Sequence, residues 1–142
     1  MLGSITGIGL VTTAWLLVAT LNFAGCAAAA AAAAYAGVVP LAHESGTRVR
    51  GRARIGHAGH ARLRTAVSRA TLSAARCNPV IRAQDERRRA AGTPTTVARG
   101  AAARKLLHLA YAVVTKGEPF DPDDGKAEGK AGRARRRAQT SA

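Results

Sequence analysis

The charged side chains of this chain are confined to one part of it. Residues 1–42 carry none, whereas residues 48–116 hold sixteen Lys and Arg against two acids, Asp85 and Glu86. That division admits two architectures. One is a membrane span followed by a basic cytoplasmic domain. The other is a helical domain whose arginines meet a polyanion. The formal net charge of +14 on 142 residues makes the chain self-repelling unless such a partner is near, and phosphate backbones are the natural choice.

The membrane architecture rests on residues 5–25, an apolar stretch about long enough to cross a bilayer, with the arginines downstream on the cytoplasmic side. Three features oppose it. Gly3, Gly7 and Gly9 sit in its first turns, Asn22 and several threonines dilute it, and no basic segment precedes it as a signal peptide requires. The alanine run 27–34 adds little hydrophobic driving force. The stretch reads as a buried helix, with no membrane partner. The expected location is cytoplasmic, in association with the nucleoid. Cys26 and Cys77 have no metal-ligand spacing and read as small buried hydrophobes in a reducing compartment. Aromatic residues make up 4% of the chain, a poor supply for base-stacking platforms.

Gly7-Ile8-Gly9 ahead of Leu10-Val11-Thr12 is a glycine turn opening a helix. Unpaired N–H groups at such a terminus, with the positive end of the dipole behind them, can hold a phosphate. The pattern is similar to a helix-hairpin-helix turn, and an ordinary tight turn is the alternative. After a break at residues 22–25, the alanine run is predicted to be helical, and Pro40 ends that segment.

The next stretch alternates strictly. Arg48, Arg50, Arg52 and Arg54 fall on one face of an extended strand, with Val49, Ala53 and Ile55 on the other. Four guanidinium groups in a row suit the oxygens of a phosphate backbone; the alternative is an edge strand protected from aggregation by charge. Arg62 and Arg64, at the start of the following helix, join the same backbone-binding set. His57 and His60 read as part of a polar loop, since no further ligand stands near them in sequence and no metal is expected.

Helices are predicted over residues 61–77, from Asn78-Pro79 to about residue 91, and over 94–116. The apolar face of the first is Leu63, Val67, Ala70 and Ala74, with Arg62, Arg69 and Arg76 on another face. Asn78 serves as N-cap with Pro79 at the first helical position. The apolar face of the last helix is Val97, Ala101, Leu106, Leu109, Ala110, Val113 and Val114, closed by Gly117 and Pro119. The reading is a mainly α domain over residues 1–122 with a short basic β element, and a disordered basic tail over 123–142.

Six elements in order carry a resemblance: Thr6-Gly7-Ile8-Gly9-Leu10-Val11-Thr12, Tyr35-Ala36-Gly37-Val38-Val39-Pro40, Ser45-Gly46-Thr47-Arg48-Val49-Arg50-Gly51-Arg52, Asn78-Pro79, Arg104-Lys105-Leu106-Leu107-His108-Leu109-Ala110-Tyr111 and Pro119-Phe120-Asp121-Pro122. Together they resemble the C-terminal region of bacterial insertion-sequence transposases of the 110/116/902 group. The resemblance implies DNA transposition by strand cleavage and joining. It implies that the serine of the Ser-Gly element, Ser45 here, attacks DNA to give a covalent phosphoserine. The arginines beside it would stabilise the developing charge.

The resemblance also implies an N-terminal RuvC-like domain that holds magnesium through four acids, a structured guide RNA and a homo-oligomer. No acidic cluster of that kind occurs in this chain, so no cofactor is expected in it, and a copy incompetent for the full reaction is expected. The alanine-rich replacement of polar residues between the Gly-Ile-Gly and Tyr-Ala-Gly elements, and Gln84-Asp85 in place of apolar core residues, point to a truncated or decaying copy. A small architectural nucleic-acid-binding protein without catalysis is the alternative.

Overall fold

The computed structural model describes residues 1–41, 44–45, 49–50, 54–55 and 58–123, the strand residues between 40 and 55 by backbone alone. The chain opens with a 3-10 turn, Leu2–Ser4, and enters α1, Leu10–Thr20, through Gly9 as N-cap. Eleven residues at 1.5 Å each reach about 16 Å, roughly half the hydrocarbon thickness of a bilayer. Among the described residues no helix is long and apolar enough to cross a membrane.

The apolar run stops at a left-handed turn. Leu21, Asn22 and Phe23 all have positive φ, at 50°, 57° and 61°, each at a cost of about 1–2 kcal/mol for a residue with a Cβ. Local hydrogen bonds and one buried ring offset that cost. The Leu21 and Asn22 N–H groups both donate to the Leu17 carbonyl. Thr20 Oγ1 donates to the Leu16 carbonyl at 2.6 Å and accepts from the Phe23 N–H at 3.0 Å. Phe23 is 5% exposed and meets Tyr111 edge-on at 5.6 Å, a favourable aromatic geometry.

The alanine run forms α2, Ala29–Ala36, and Gly37 ends it in the left-handed region. Side chains one carbon long let α2 lie close on α5, with Ala32, Ala33 and Ala36 fully enclosed. The hub of the fold is α3, Ala61–Cys77, which packs against α1, against α4, Pro79–Ala90, and against α5, Thr95–Lys116. Its buried face is Leu63, Ala66, Val67, Ala70, Thr71 and Ala74, the stripe that its 3.6-residue spacing predicts. Thr71 is accommodated there because its hydroxyl donates to the Val67 carbonyl at 2.7 Å.

Asn78 joins α3 to α4 and is fully buried. Its Oδ1 accepts from the N–H groups of Val80 and Ile81, and its Nδ2 donates to the Thr6 carbonyl at 3.2 Å. One amide therefore caps α4 and anchors the N-terminal turn.

Two sequence expectations are corrected here. The buried face of α5 is Ala98, Ala102, Ala103, Leu106, Leu107, Ala110 and Val113. Val97, expected inside, is 50% exposed, and Leu109 and Val114 pack only at the edge. The face is rotated toward the alanines because α2 and α3 approach α5 where side chains are smallest. Cys77, expected to be buried, is exposed, and Cys26 is half-buried; both are free thiols.

Between α2 and α3 the described backbone forms two antiparallel ladders. Pro40–Leu41 (β1) pairs with Arg54–Ile55 (β4), and Glu44–Ser45 (β2) pairs with Val49–Arg50 (β3). Two residues separate the ladders on the outgoing side and three on the returning side, so their registers differ by one. Arg50, opposite Glu44, and Arg54, opposite Leu41, therefore pair at different registers. Arg48, Arg52 and His57 lie outside the described residues, as do residues 124–142, and the side chains of Ser45, Arg50 and Arg54 are not described.

A candidate nucleic-acid interface

The exposed side of α3 carries what its buried side excludes. Arg62, Thr65, Ser68, Arg69 and Leu72 face solvent, and their spacing puts them on adjacent turns of one surface. Two grooves flank this row. One, of ≈ 490 Å³, lies between α1 and α3 and is lined by Val11, Thr12 and Trp15 on one side and Arg62, Thr65 and Arg69 on the other. The second, of ≈ 360 Å³, lies between α3 and the start of α5, where Arg64, Ser68 and Arg69 face Thr96, Arg99 and Gly100. Thr65 and Arg69 line both, so the grooves meet across α3.

The electrostatics of this surface are one-sided. Neither groove has an acidic residue in its lining, so Arg62, Arg64, Arg69 and Arg99 concentrate positive potential along a continuous track. The start of α5 adds to it. Pro94 caps this helix without a side-chain hydrogen bond, and no acid stands in its first turn, so the positive end of its dipole is uncompensated beside Thr96 and Arg99. Forked guanidinium donors and hydroxyls along a groove can take successive phosphate oxygens. The described ion pairs lie on α4, where Arg82 meets Glu86 at 2.8 Å and Arg89 meets Asp85 at 2.9 Å.

At the N-terminal end of α3 the chain passes through a narrow neck. Gly37 and Gly59 meet there, with φ of +70° and +97°. A Cβ on Gly59 would stand 2.7 Å from the Gly37 nitrogen and from the Tyr35 carbonyl, and one on Gly37 would collide with the Ala58 carbonyl. The His60 N–H donates to the Tyr35 carbonyl at 2.8 Å, and Arg64 Nη1 donates to the Ala58 carbonyl at 3.0 Å. His60 caps α3, its Nδ1 accepting from the Leu63 N–H at 3.1 Å, and its ring stands 6.1 Å from Trp15 and 5.8 Å from Tyr35. Arg62 lies over the Trp15 ring at 5.9 Å. Gly37 and Ala58, which bracket in sequence the segment with Ser45 and the arginine run, meet at this neck.

The predicted site residues thus separate into groups. Arg62 and Arg64 are in the track, and Arg64 also braces the neck. Gly7 and Ile8 are committed to packing: Ile8 is 6% exposed, and a Cβ on Gly7 (φ +104°) would stand 2.5 Å from that of Ala74. Gly9 is exposed at the start of α1. Sequence reasoning passed over Arg69 as a site residue, although its seven-residue spacing from Arg62 placed both on one side of α3. Arg99 carried no signal, because it reaches the track only through the packing of α5 on α3. His108, on the opposite part of α5, is held below the usual imidazole range by partial burial and by the neighbouring Arg104 and Lys105. It is displaced toward its neutral form and adds little to the field.

The chain is 33% identical over 122 residues to a pilin gene-inverting protein of Moraxella bovis, a match covering 85% of this chain and 38% of that relative. The chain thus spans well under half the length of the relative it matches. The model of the Transposase IS116/IS110/IS902 family matches residues 1–86, more than half of the sequence, and the chain belongs to that family.

Proposed function

We propose that this chain is the DNA-binding and nucleophile-bearing part of a transposase, acting in DNA transposition or inversion. The acid-free arginine track across α3 carries this reading. Phosphate backbone lies along Arg62, Arg64, Arg69 and Arg99, with Gly9 at the start of α1 and the run Arg48, Arg50, Arg52 and Arg54 extending the contact. The Ser45 hydroxyl attacks a phosphodiester, forming a serine–phosphate bond as the bond to the leaving strand oxygen breaks, and that oxygen takes a proton. Arginines around the phosphate stabilise the charge that builds on its free oxygens.

Among the described residues no three His, Cys, Asp or Glu stand together to hold a metal ion. These residues are not assigned a magnesium site. The acidic half expected of the family would supply it, and a homo-oligomer and a structured guide RNA belong to the same reading as family partners. Residues 1–122 act as the binding unit, and residues 123–142 as a basic tail.

Two measurements test it. Affinity for duplex DNA is expected to fall steeply with salt, log K dropping by about 0.9 per phosphate engaged for each decade of salt. An affinity indifferent to salt would sink the reading. Ser45→Ala is expected to leave that affinity unchanged while abolishing a covalent protein–DNA adduct formed once the acidic half is supplied. Adduct formation by Ser45→Ala would remove the serine from its role, and binding without any adduct in the native sequence would leave an architectural binder.

A further inference from the structure

Aromatic residues are scarce in this chain, yet the surface at the neck collects its Trp15 and Tyr35 with the ring of His60 between them. Trp15 forms one wall of the α1–α3 groove. Val11 and Ala66 continue that lining with apolar surface, while Arg62 and Arg69 supply cations and Thr12 and Thr65 hydroxyls. At ≈ 490 Å³ the groove falls within the range of sites that take small planar ligands. An apolar aromatic wall with cations at its edges matches a nucleotide, a flat ring carrying a phosphate.

We propose that the Trp15 groove is a stacking site for an unpaired nucleobase, with Arg69 holding the adjoining phosphate. Bases within a duplex have both faces covered by their neighbours, so only an unpaired or extruded base can lie on an indole. The Arg62 guanidinium, at 5.9 Å from the ring centroid, is at the outer limit of cation–π contact. A base sliding onto the ring displaces little and frees Arg62 for phosphate. Arg69 lines both grooves, so a strand whose base enters the Trp15 groove continues along the track toward Arg99. The site thus adds recognition of unpaired strand to backbone binding, and it rests on the nucleic-acid reading proposed above.

The chain has a single tryptophan, so its fluorescence reports on this groove alone. The probes are a single-stranded oligothymidylate and an abasic oligonucleotide of equal length and charge. Oligothymidylate is expected to quench Trp15 emission and to bind about tenfold more tightly than the abasic strand, the usual contribution of one stacked base. The abasic strand is expected to bind with little quenching. Trp15→Leu is expected to bring the two affinities together; should that variant not fold, the two-probe comparison on the native chain still decides. Equal affinity for both strands with unchanged emission would overturn the stacking site and leave backbone binding standing. Absence of salt-sensitive binding to either strand would overturn both.

Discussion

The two ends of α3 use the same device for different purposes. At each end a glycine with positive φ brings two backbones closer than any side chain permits: Gly7 against Ala74 near the C-terminus, and Gly59 against Gly37 and Tyr35 at the N-terminus. The C-terminal junction is neutral, sealed by the amide of Asn78 and by Ile5 and Ile8 in the core. The N-terminal junction is ringed by His60, Arg62, Arg64 and Trp15 and opens onto the grooves. The first is consumed in holding the fold, while the second positions the basic surface proposed to meet nucleic acid. Close backbone approach is therefore not itself a mark of function; what surrounds it is.

The comparison breaks most visibly at Gly7. Gly7→Ala forces a Cβ into the Ala74 side chain and backbone at a φ that L-residues avoid. Strain and overpacking together predict a loss of about 3–5 kcal/mol, read as a lower denaturation midpoint with an unchanged slope. A loss below about 1 kcal/mol would mean that the N-terminal turn is not seated on α3.

Asn78→Ala is expected to cost about 2–4 kcal/mol. It removes the cap of α4 and strands the Thr6 carbonyl. Asn78→Asp retains the acceptor that caps α4 but not the donor to Thr6, so it should recover only part of the loss. Equal losses for the two variants would place all of the effect in the bond to Thr6.

At the other end, His60→Ala removes the cap acceptor of α3 and a ring between Trp15 and Tyr35. The expected loss is smaller, about 1 kcal/mol, and it should be accompanied by a shift in Trp15 emission. That optical change separates His60 from Asn78, whose surroundings hold no tryptophan.

Much of this was legible in the sequence, and the reasons are local. Asn78-Pro79 announces a cap and a first helical residue, Gly117 a left-handed stop, and Leu63, Val67, Ala70 and Ala74 a buried stripe, because each depends on neighbours within a turn. The turn at Leu21–Phe23 was legible only as a break. Three left-handed residues with side chains are tolerated because Phe23 finds Tyr111, some ninety positions along the chain. Gly7-Ile8-Gly9 suggested a phosphate grip, yet two of its three residues serve packing, since nothing in a glycine states whether ligand or helix will approach it. The basic track was half legible. Arg62 and Arg64 were in view, Arg69 was seen only as part of a charged face, and Arg99 needed the α3–α5 contact to bring it into place.

The smallest effect on stability carries the sharpest contrast. Arg62, Arg69 and Arg76 recur every seven residues along α3, but Arg76 stands at the sealed end, outside the lining of both grooves. Arg69→Gln and Arg76→Gln each remove one exposed guanidinium and should leave stability within about 0.5 kcal/mol of the parent. Only Arg69→Gln should weaken nucleic-acid binding and flatten the salt dependence by about one phosphate contact. Equal weakening by both would mean that the polyanion senses net charge rather than the track, because a diffuse field does not distinguish two arginines on one helix. A loss confined to Arg69 locates the contact at the middle of α3, where the two grooves meet.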